Sequence, residues 1–253
     1  MNLSEIKTIE DLSLNAWPSH QMQLYDGWIL RFSYFYTHRT NCVEQIGASF
    51  IPLEEKINYC EDIYRRWGTP CIFKITPLLD PSFDEMLAAR GYEIQHRTSV
   101  MEMQIPPGTQ FQSRTLDEGF SIHTDYRIPD EWIDALFKIK GDGSVIHMKI
   151  VPSMYAAIPK DVICVSAHAG RKIVATGLGI LDRDYLGIYA INTDPSVRRR
   201  GLARAVCERL LCEGNAAKTR RAYLQVTTNN DRAISLYRSL GFAPQYEYWF
   251  RVQ

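Results

Sequence analysis

The sequence predicts a mixed α+β fold, in which a central, twisted and mostly antiparallel β-sheet is flanked by helices. Two observations lead to this prediction. Runs rich in β-branched and aromatic residues alternate with runs whose apolar residues recur every three or four positions, which is the period of a helix. The order of strand, helix, glycine–aromatic pair and strand also occurs twice, which predicts two halves of similar architecture.

The first half opens with residues 16–41, which are predicted to form a hairpin with an aromatic cluster, Tyr34-Phe35-Tyr36, near its turn. The segment Ile105-Pro106-Pro107-Gly108 breaks any helix and follows a strand-like run. It therefore marks the predicted domain boundary, which gives halves of residues 1–108 and 109–253. Before it, the sequence predicts a strand at residues 71–76, a helix at 82–90 and a strand at 93–103.

The second half combines helices with strands that are joined by short turns. The two turns between its first three strands are hairpin-like, so the sheet is expected to be antiparallel there. The predicted helices are residues 130–140, 145–157 and 233–240, and the predicted strands are residues 161–168, 172–181, 185–193, 222–227 and 245–252.

An internal duplication would explain the recurring order of elements. Gly91-Tyr92 and Gly241-Phe242 are 150 positions apart, and each pair follows a predicted helix. The first half lacks the chemical groups that make the second half a candidate site. We therefore expect a degenerate half that serves packing, shapes a substrate cleft or mediates association, and the last role leaves a homodimer open. In this register Tyr237 aligns with Leu87, Asn230 with Asp80, and the loop around Gly201 with Ile51 and Pro52.

Composition excludes several classes of protein. The 253 residues include 29 basic and 29 acidic side chains, so the net charge is zero, whereas a nucleic-acid-binding protein usually has a basic excess. No apolar run has the length of a membrane span or the form of a signal peptide, so we expect a cytoplasmic protein without membrane contact. The six cysteines lack Cys-x-x-Cys spacing and are expected to be buried free thiols rather than metal ligands.

The most informative motif is the Arg-x-x-Gly-x-Ala loop between a strand and an amphipathic helix. Backbone N–H groups at a helix N-terminus bind phosphate without a metal ion. Gly201 lets a ligand approach the main chain, Ala203 keeps the next turn small, and arginines add charge-assisted hydrogen bonds. The loop therefore predicts a pyrophosphate site formed by Arg198, Arg199, Arg200, Gly201, Leu202 and Ala203.

A second motif follows downstream, where Asn230 precedes a helix whose buried face carries Tyr237. Asn230 is expected to cap that helix whether or not a ligand binds. Together with the arginine–glycine loop, this segment resembles the Gcn5-related N-acetyltransferase (GNAT) superfamily, closely over residues 161–252.

The resemblance implies acetyl-CoA as the cofactor and a small-molecule or peptide amine as the acceptor. It assigns the pyrophosphate to Arg198–Ala203, the pantetheine arm to the backbone of Ile191 and Thr193, and further cofactor contacts to Asn230 and Tyr237. Tyr237 would also act catalytically, as the proton donor to the departing thiolate. A coenzyme A-binding or regulatory module without catalysis remains the alternative, as does a dimerising scaffold that binds no cofactor.

The general base is not determined by the sequence. Many GNAT relatives carry a Glu on the strand before the cofactor loop, but residues 186–193 contain none. Asp182 and Asp184 are expected to be solvated at a turn, His147 is a weaker candidate, and water could relay the proton. A backbone N–H near Ile191 or Asn192 is expected to hold the oxyanion.

The resemblance also implies that the two helices at the start of the second half line the acceptor pocket. His38, Arg39 and Asn41 are expected on a surface hairpin, so no site is assigned to them. The candidate pocket walls, which are equally good core residues, are Trp132, Phe137, Met148 and Tyr155.

Overall fold

A computed structural model describes residues 1–111 and 115–253. Within these residues the chain forms one eleven-stranded sheet and seven α-helices, which confirms the predicted mixed α+β fold. The helices are α1 Leu3–Ala16, α2 Leu53–Arg66, α3 Pro81–Ala89, α4 Asp130–Lys140, α5 Val145–Ala156, α6 Leu202–Ala216 and α7 Asp231–Ser239. The strands are β1 Gln21–Tyr25, β2 Trp28–Phe32, β3 Val43–Gln45, β4 Ile72–Ile75, β5 Glu93–Gln104, β6 Phe120–Asp125, β7 Asp161–Ala169, β8 Lys172–Asp182, β9 Tyr185–Thr193, β10 Arg221–Thr227 and β11 Ala243–Val252.

The strand order is β1-β2-β3-β4-β11-β5-β10-β9-β8-β7-β6. Neighbouring strands are antiparallel except for two parallel pairs, β3 with β4 and β9 with β10. The prediction of a mostly antiparallel sheet is therefore correct. Each parallel pair is connected through a helix, α2 in the first half and α6 in the second, because parallel neighbours require a crossover.

The two halves exchange strands at the centre of the sheet. Strand β5, the last strand before residue 108, lies between β10 and β11 of the second half. Strand β11 lies between β4 and β5, so both of its neighbours belong to the first half. The sheet is therefore continuous across the predicted boundary at residues 105–108.

The 150-residue repeat is present in the structure. Helices α3 and α7 are both nine residues long, and their bounds differ by 150 positions. Asp80 and Asn230 cap these helices with their side chains, and Gly91 and Gly241 follow them with φ of +86° and +100°. A left-handed conformation favours glycine, which explains why both helices stop there.

The pairing of β5 with β11 follows the same repeat. Glu102 pairs with Ala243, and Glu93 pairs with Val252. A shift of 150 positions converts the first pair into the second, so an approximate twofold axis passes between these two strands. This relation supports the hypothesis of internal duplication.

The N-terminal helix α1 was not among the predicted elements. Asn2 and Glu5 form a capping box at its start, and Ile6, Ile9 and Leu12 are buried along one face. The helix covers the middle of the sheet, where it contacts β9.

The predicted position of the aromatic cluster is wrong. The β1–β2 hairpin turns at Asp26-Gly27, where both residues have positive φ, as a two-residue hairpin loop requires. Tyr34-Phe35-Tyr36 follows β2 instead, at the other end of the hairpin.

Helices cover both faces of the second half of the sheet. Trp132 and Tyr155, from α4 and α5, belong to an apolar cluster with Leu178 of β8. Leu210 of α6 packs against the next position, Gly179, where an added Cβ would lie 3.1 Å from its side chain. Alternate strand residues point to opposite faces, so α6 lies on the face opposite α4. No described helix has the length and apolar character needed to cross a bilayer.

Candidate functional site

The candidate site begins where β9 and β10 separate. These strands pair in parallel only from Tyr185 to Ile188 of β9. Ala190 has a φ of +52°, and the register between β8 and β9 shifts beside it, which identifies a β-bulge. The bulge bends β9 away from β10 and leaves the edge of residues 189–193 without a partner strand.

A cavity of about 490 Å³ occupies this opening. The second half contributes Asn230 and residues of α4, α5, α7, β9, β10 and β11, and the first half contributes the rest. The lining comprises Trp17, Tyr36, Thr37, His38, Arg39, His96, Thr98, Leu136, Lys140, Tyr155, Ile188, Tyr189, Ala190, Ile191, Asn192, Gln225, Val226, Thr227, Asn230, Ala233, Tyr237 and Phe250.

The arginine–glycine loop lies at the N-terminus of α6. Gly201 is the N-cap residue, with a φ of +75° and no side chain that could cap the helix. The first N–H groups of a helix have no intrahelical acceptors, and in α6 no N-cap side chain replaces them. Arg199 also has a positive φ of +67°, and such alternation of backbone conformation makes a concave group of N–H donors. This geometry fits a bound anion.

The side chains of the loop divide into two groups. Arg198, Arg199 and Arg200 are exposed, so their guanidinium groups can reach a ligand on the surface. The side chain of Leu202 is buried in the core, so only its backbone N–H can contribute to the predicted site. Ala203 is half-buried at the start of α6.

Asn230 and Tyr237 lie together in the cavity wall. The Asn230 side chain accepts a hydrogen bond from the Ala233 N–H at 3.2 Å, which confirms its role as a cap. Tyr237 is 8% exposed, and burial, with a smaller contribution from Cys207, raises the pKa of its phenol. The phenol therefore keeps its proton at neutral pH.

The part of β9 that has separated from β10 contains three of the residues predicted to contact the cofactor or hold the oxyanion. Ile191 and Asn192 line the cavity, whereas Thr193 does not. Its hydroxyl is buried and has no hydrogen-bond partner within the described residues. Buried polar atoms are rarely left unpaired, so this hydroxyl fits a site that a ligand completes.

The first half forms part of the cavity, contrary to the surface hairpin predicted for it. His38 and Arg39 lie in a 3₁₀ turn, His38–Thr40, and both line the cavity with His96 of β5. Asn41 is buried instead and binds backbone groups, including the Ser33 N–H at 2.6 Å. Sequence reasoning missed these residues because β5 and the 3₁₀ turn approach the site only through the strand exchange.

A chain of hydrogen bonds joins Arg39 to the opening between the strands. Arg39 Nε donates to the Tyr248 hydroxyl at 2.9 Å, and that hydroxyl donates to Gln225 Oε1 at 2.8 Å. Gln225 belongs to β10 and directly follows Leu224, the last residue that pairs with β9. The guanidinium is therefore fixed close to the point where β9 and β10 separate.

The predicted pocket walls are only partly correct. Tyr155 lines the cavity, as expected. Trp132 and Phe137 are buried in the core, where the Trp132 indole N–H donates to the Val165 carbonyl at 3.0 Å. Met148 is 48% exposed and lies outside the lining, because α5 presents it to solvent.

None of the three base candidates lies in the lining. Asp182 is buried rather than solvated, since Asn15 and Lys160 each donate to it at 2.9 Å. Asp184 is exposed, in agreement with the prediction. His147 lies 3.3 Å from the Asp142 carboxylate.

The cavity contains histidines instead of carboxylates. Among the described residues, no Asp or Glu lines it. The rings of His38 and His96 lie 4.6 Å apart, and His38 is half-buried. Burial, and then the charge of His96, lowers the pKa of His38 below its ordinary value. A neutral imidazole is therefore available to accept a proton.

Comparison with known families agrees with this geometry. A family model described as probable histone acetyltransferase Rv0428c C-terminal matches residues 3–251. An uncharacterized N-acetyltransferase of Bacillus subtilis strain 168, YobR, is 26% identical over 255 residues, which cover 99% of this chain and 100% of that protein.

Two solved structures share the fold. A GCN5-related N-acetyltransferase from Kribbella flavida superposes with a TM-score of 0.72 at 16% identity and covers 100% of this chain and 96% of its own. A tandem GNAT protein from the clavulanic acid biosynthesis pathway has a TM-score of 0.69 at 12% identity, with coverage of 97% and 87%. At these identities the two structures show a shared fold.

Proposed function

The chain belongs to the GNAT superfamily of acyl-CoA-dependent N-acetyltransferases, and we propose that it transfers an acetyl group from acetyl-CoA to a primary amine by direct attack. One observation carries this proposal. The opening between β9 and β10 adjoins a cavity whose lining includes a protonated phenol and a neutral imidazole, and the chain that leaves β9 goes on to a helix N-terminus without a side-chain cap. Acetyl-CoA would supply the thioester carbon at which the amine attacks.

The loop residues Arg198–Ala203 would hold the pyrophosphate through backbone N–H groups and exposed guanidinium groups. Their conformation fits this role because Gly201 caps α6 without a side chain. The unpaired edge of β9 at Ile191 and Thr193 offers hydrogen-bonding groups to an extended pantetheine arm, much as an added strand would. Asn230 and Ile191 line the cavity, whereas Thr193 and Arg198–Ala203 are not among its lining residues.

Tyr237 would stabilise and protonate the leaving thiolate. A thiol has an ordinary pKa near 8.5, so at neutral pH the released sulfur needs a proton. Tyr237 lines the cavity, and its hydroxyl has no hydrogen-bond partner among the described residues, so its proton would be free for a ligand. The N–H groups of Ile191 or Asn192 would hold the oxyanion.

His38 would take the proton that the attacking amine must lose. An amine is a nucleophile only in its neutral form, so its proton must pass to a base. Because the cavity has no carboxylate in its described lining, the half-buried imidazole of His38 is the best base available there, directly or through water. We place this reaction in the cytoplasm, where the six free cysteines would stay reduced.

The test combines thiol release with direct measurement of cofactor binding. Wild type and Tyr237→Phe are compared over a panel of amines, and acetyl-CoA affinity is measured by calorimetry. We expect Tyr237→Phe to lose tenfold or more in kcat while it keeps its affinity for acetyl-CoA. Tyr126→Phe is the matched control, because Tyr126 is 72% exposed and lies outside the cavity.

Two results would contradict the proposal. Cofactor binding without thiol release for any amine would indicate a binding module instead. Failure of acetyl-CoA to raise the melting temperature would exclude the cofactor site itself, since a ligand that binds the folded state must stabilise it.

A further inference from the structure

We propose that the acceptor is an amine that also carries a carboxylate, and that Arg39 binds this carboxylate. The inference rests on the proposed function and specifies its substrate class. It starts from the charges in the cavity. Arg39 and Lys140 line it, whereas no acidic residue does so within the described chain.

Arg39 is a partly buried cation without an ion pair. Its Nε donates to the Tyr248 hydroxyl, and no carboxylate of the described residues forms a salt bridge with the guanidinium, although the more distant charge of Glu10 helps to raise its pKa. Glu10 is itself paired with Lys74 at 2.5 Å, and Glu44 is paired with Lys74 at 3.2 Å and with Arg31 at 3.5 Å. A cation withdrawn from water is costly unless a counter-ion compensates it.

A bound carboxylate would provide that counter-ion. The guanidinium group presents parallel N–H donors that match the two oxygens of a carboxylate. Tyr248 occupies only Nε, and the structure gives Nη1 and Nη2 no partner within the described residues. These two nitrogens are therefore available to a ligand in the cavity.

Lys140 adds a second positive charge at the exposed side of the cavity. Its Nζ donates to the Tyr36 hydroxyl at 3.3 Å and has no salt bridge to a described residue. The nearby Asp142, whose pKa the Lys140 charge helps to lower, is paired with His147 and does not line the cavity. A polyamine, an aminoglycoside or a lysine-rich peptide would therefore meet like charges here, whereas an anionic amine would be attracted.

The aromatic residues of the cavity indicate which uncharged group the acceptor carries. Trp17, Tyr155 and Phe250 are buried aromatic residues that line the same cavity. They favour an apolar group between or beside the charged ends of the substrate. Arg39 is anchored through Tyr248 to Gln225, close to the opening of β9 and β10, so an amine near the carboxylate would reach the thioester. An apolar α-amino acid has this chemistry.

The experiment compares apolar α-amino acids with their carboxamides, which keep the amine and lose the negative charge. For wild type we expect kcat/KM to favour the acids over the amides by tenfold or more, and putrescine to be a poor acceptor. Arg39→Gln should remove this preference by raising KM for the acids, and Arg39→Lys should restore part of it. Arg97→Gln is the control, since Arg97 is exposed, pairs with Glu247 and lies outside the cavity.

A binding measurement separates this inference from the proposed function. N-acetylated amino acids, the expected products, should raise the melting temperature of the CoA-saturated protein more than their carboxamides do, and Arg39→Gln should abolish the difference. This readout does not require turnover. Equal stabilisation by both series, or thiol release that favours amides or diamines, would overturn the carboxylate site while leaving acetyl transfer intact.

Discussion

Gly201 combines a left-handed backbone conformation with a proposed contact to the cofactor. Its φ of +75° lies in the left-handed region, where a β-branched side chain costs about 1–3 kcal/mol. A Cβ there would also stand beside the N–H groups proposed to bind pyrophosphate. We expect Gly201→Val to weaken coenzyme A binding by tenfold or more in calorimetry and to leave the fold intact.

Gly170→Val provides the control for this substitution. Gly170 has a φ of +59° in the β7–β8 turn, and an added Cβ would meet nothing within 4 Å. It therefore imposes similar backbone strain away from the cavity. Unchanged coenzyme A affinity in Gly201→Val, or an equal loss in Gly170→Val, would refute the proposed pyrophosphate site.

His38 predicts how the reaction depends on pH. Its pKa is lowered by burial and by the charge of His96, and the Gln95 side chain opposes this shift. A base must be neutral, so kcat/KM should fall only when the pH drops through this lowered pKa. His38→Asn should lose this acidic limb, together with roughly 10²-fold or more in rate.

Replacement of His96 tests the direction in which the pKa of His38 is shifted. His96→Gln removes a positive charge that lowers the pKa of His38, so the acidic limb should move to higher pH. The measurement is the pH profile of kcat/KM for the three proteins. A limb that stays at the same pH in both variants would exclude His38 as the base.

The sequence predicted those candidate site residues that lie within one continuous stretch. Gly201, Asn230 and Tyr237 belong to motifs with fixed spacing, and the structure places the last two in the lining of one cavity. Arg39 and His38 belong to no such motif, because their proposed roles depend on contacts with distant strands. The prediction for Asp182 failed for the same reason, since Asn15 is 167 positions away in sequence.

At the scale of elements, the site depends on an interruption of regular structure. Strand β9 pairs with both neighbours up to Ile188, and the bulge at Ala190 then frees one of its edges. Thr176 stabilises the bulge, because its hydroxyl donates to the Ala190 carbonyl at 3.0 Å. A run rich in β-branched and aromatic residues predicted the strand, but bulges leave little trace in sequence, so the opening could not be located from it.

Helix α1 was missed by the sequence analysis for a different reason. The spacing of Ile6, Ile9, Leu12 and Ala16 is that of a buried helical face, and the capping box at Asn2 and Glu5 is also visible in the sequence. The signal was present, but the polar composition of the segment obscured it. Helix α1 positions the side chain of Gln225, because the Gln225 amide donates to the hydroxyl of Ser13 in α1 at 2.8 Å. An unpredicted element thus supports the hydrogen bonds that hold Arg39.

At the scale of the whole molecule, the repeat of 150 positions predicted the duplication but not the exchange of strands. The same sequence of elements would fit two separate sheets joined at residue 108. In the structure, β11 pairs only with β4 and β5, and β5 pairs only with β10 and β11. The exchange joins both halves in one sheet, and His38, Arg39 and His96 of the first half line one cavity with residues of the second half.

This topology predicts that the second half does not fold alone. Residues 109–253 without the first half would leave β11 with no partner strand and β10 with an open edge, and unpaired strand edges promote aggregation. We expect this fragment to be unfolded or aggregated in circular dichroism and size-exclusion chromatography, and to bind no coenzyme A. Co-expression with residues 1–108 should restore a 1:1 complex that binds the cofactor, because the cut falls between β5 and β6 and breaks no strand. A monomeric, folded 109–253 fragment with full coenzyme A affinity would show that the exchanged strands are dispensable for the fold.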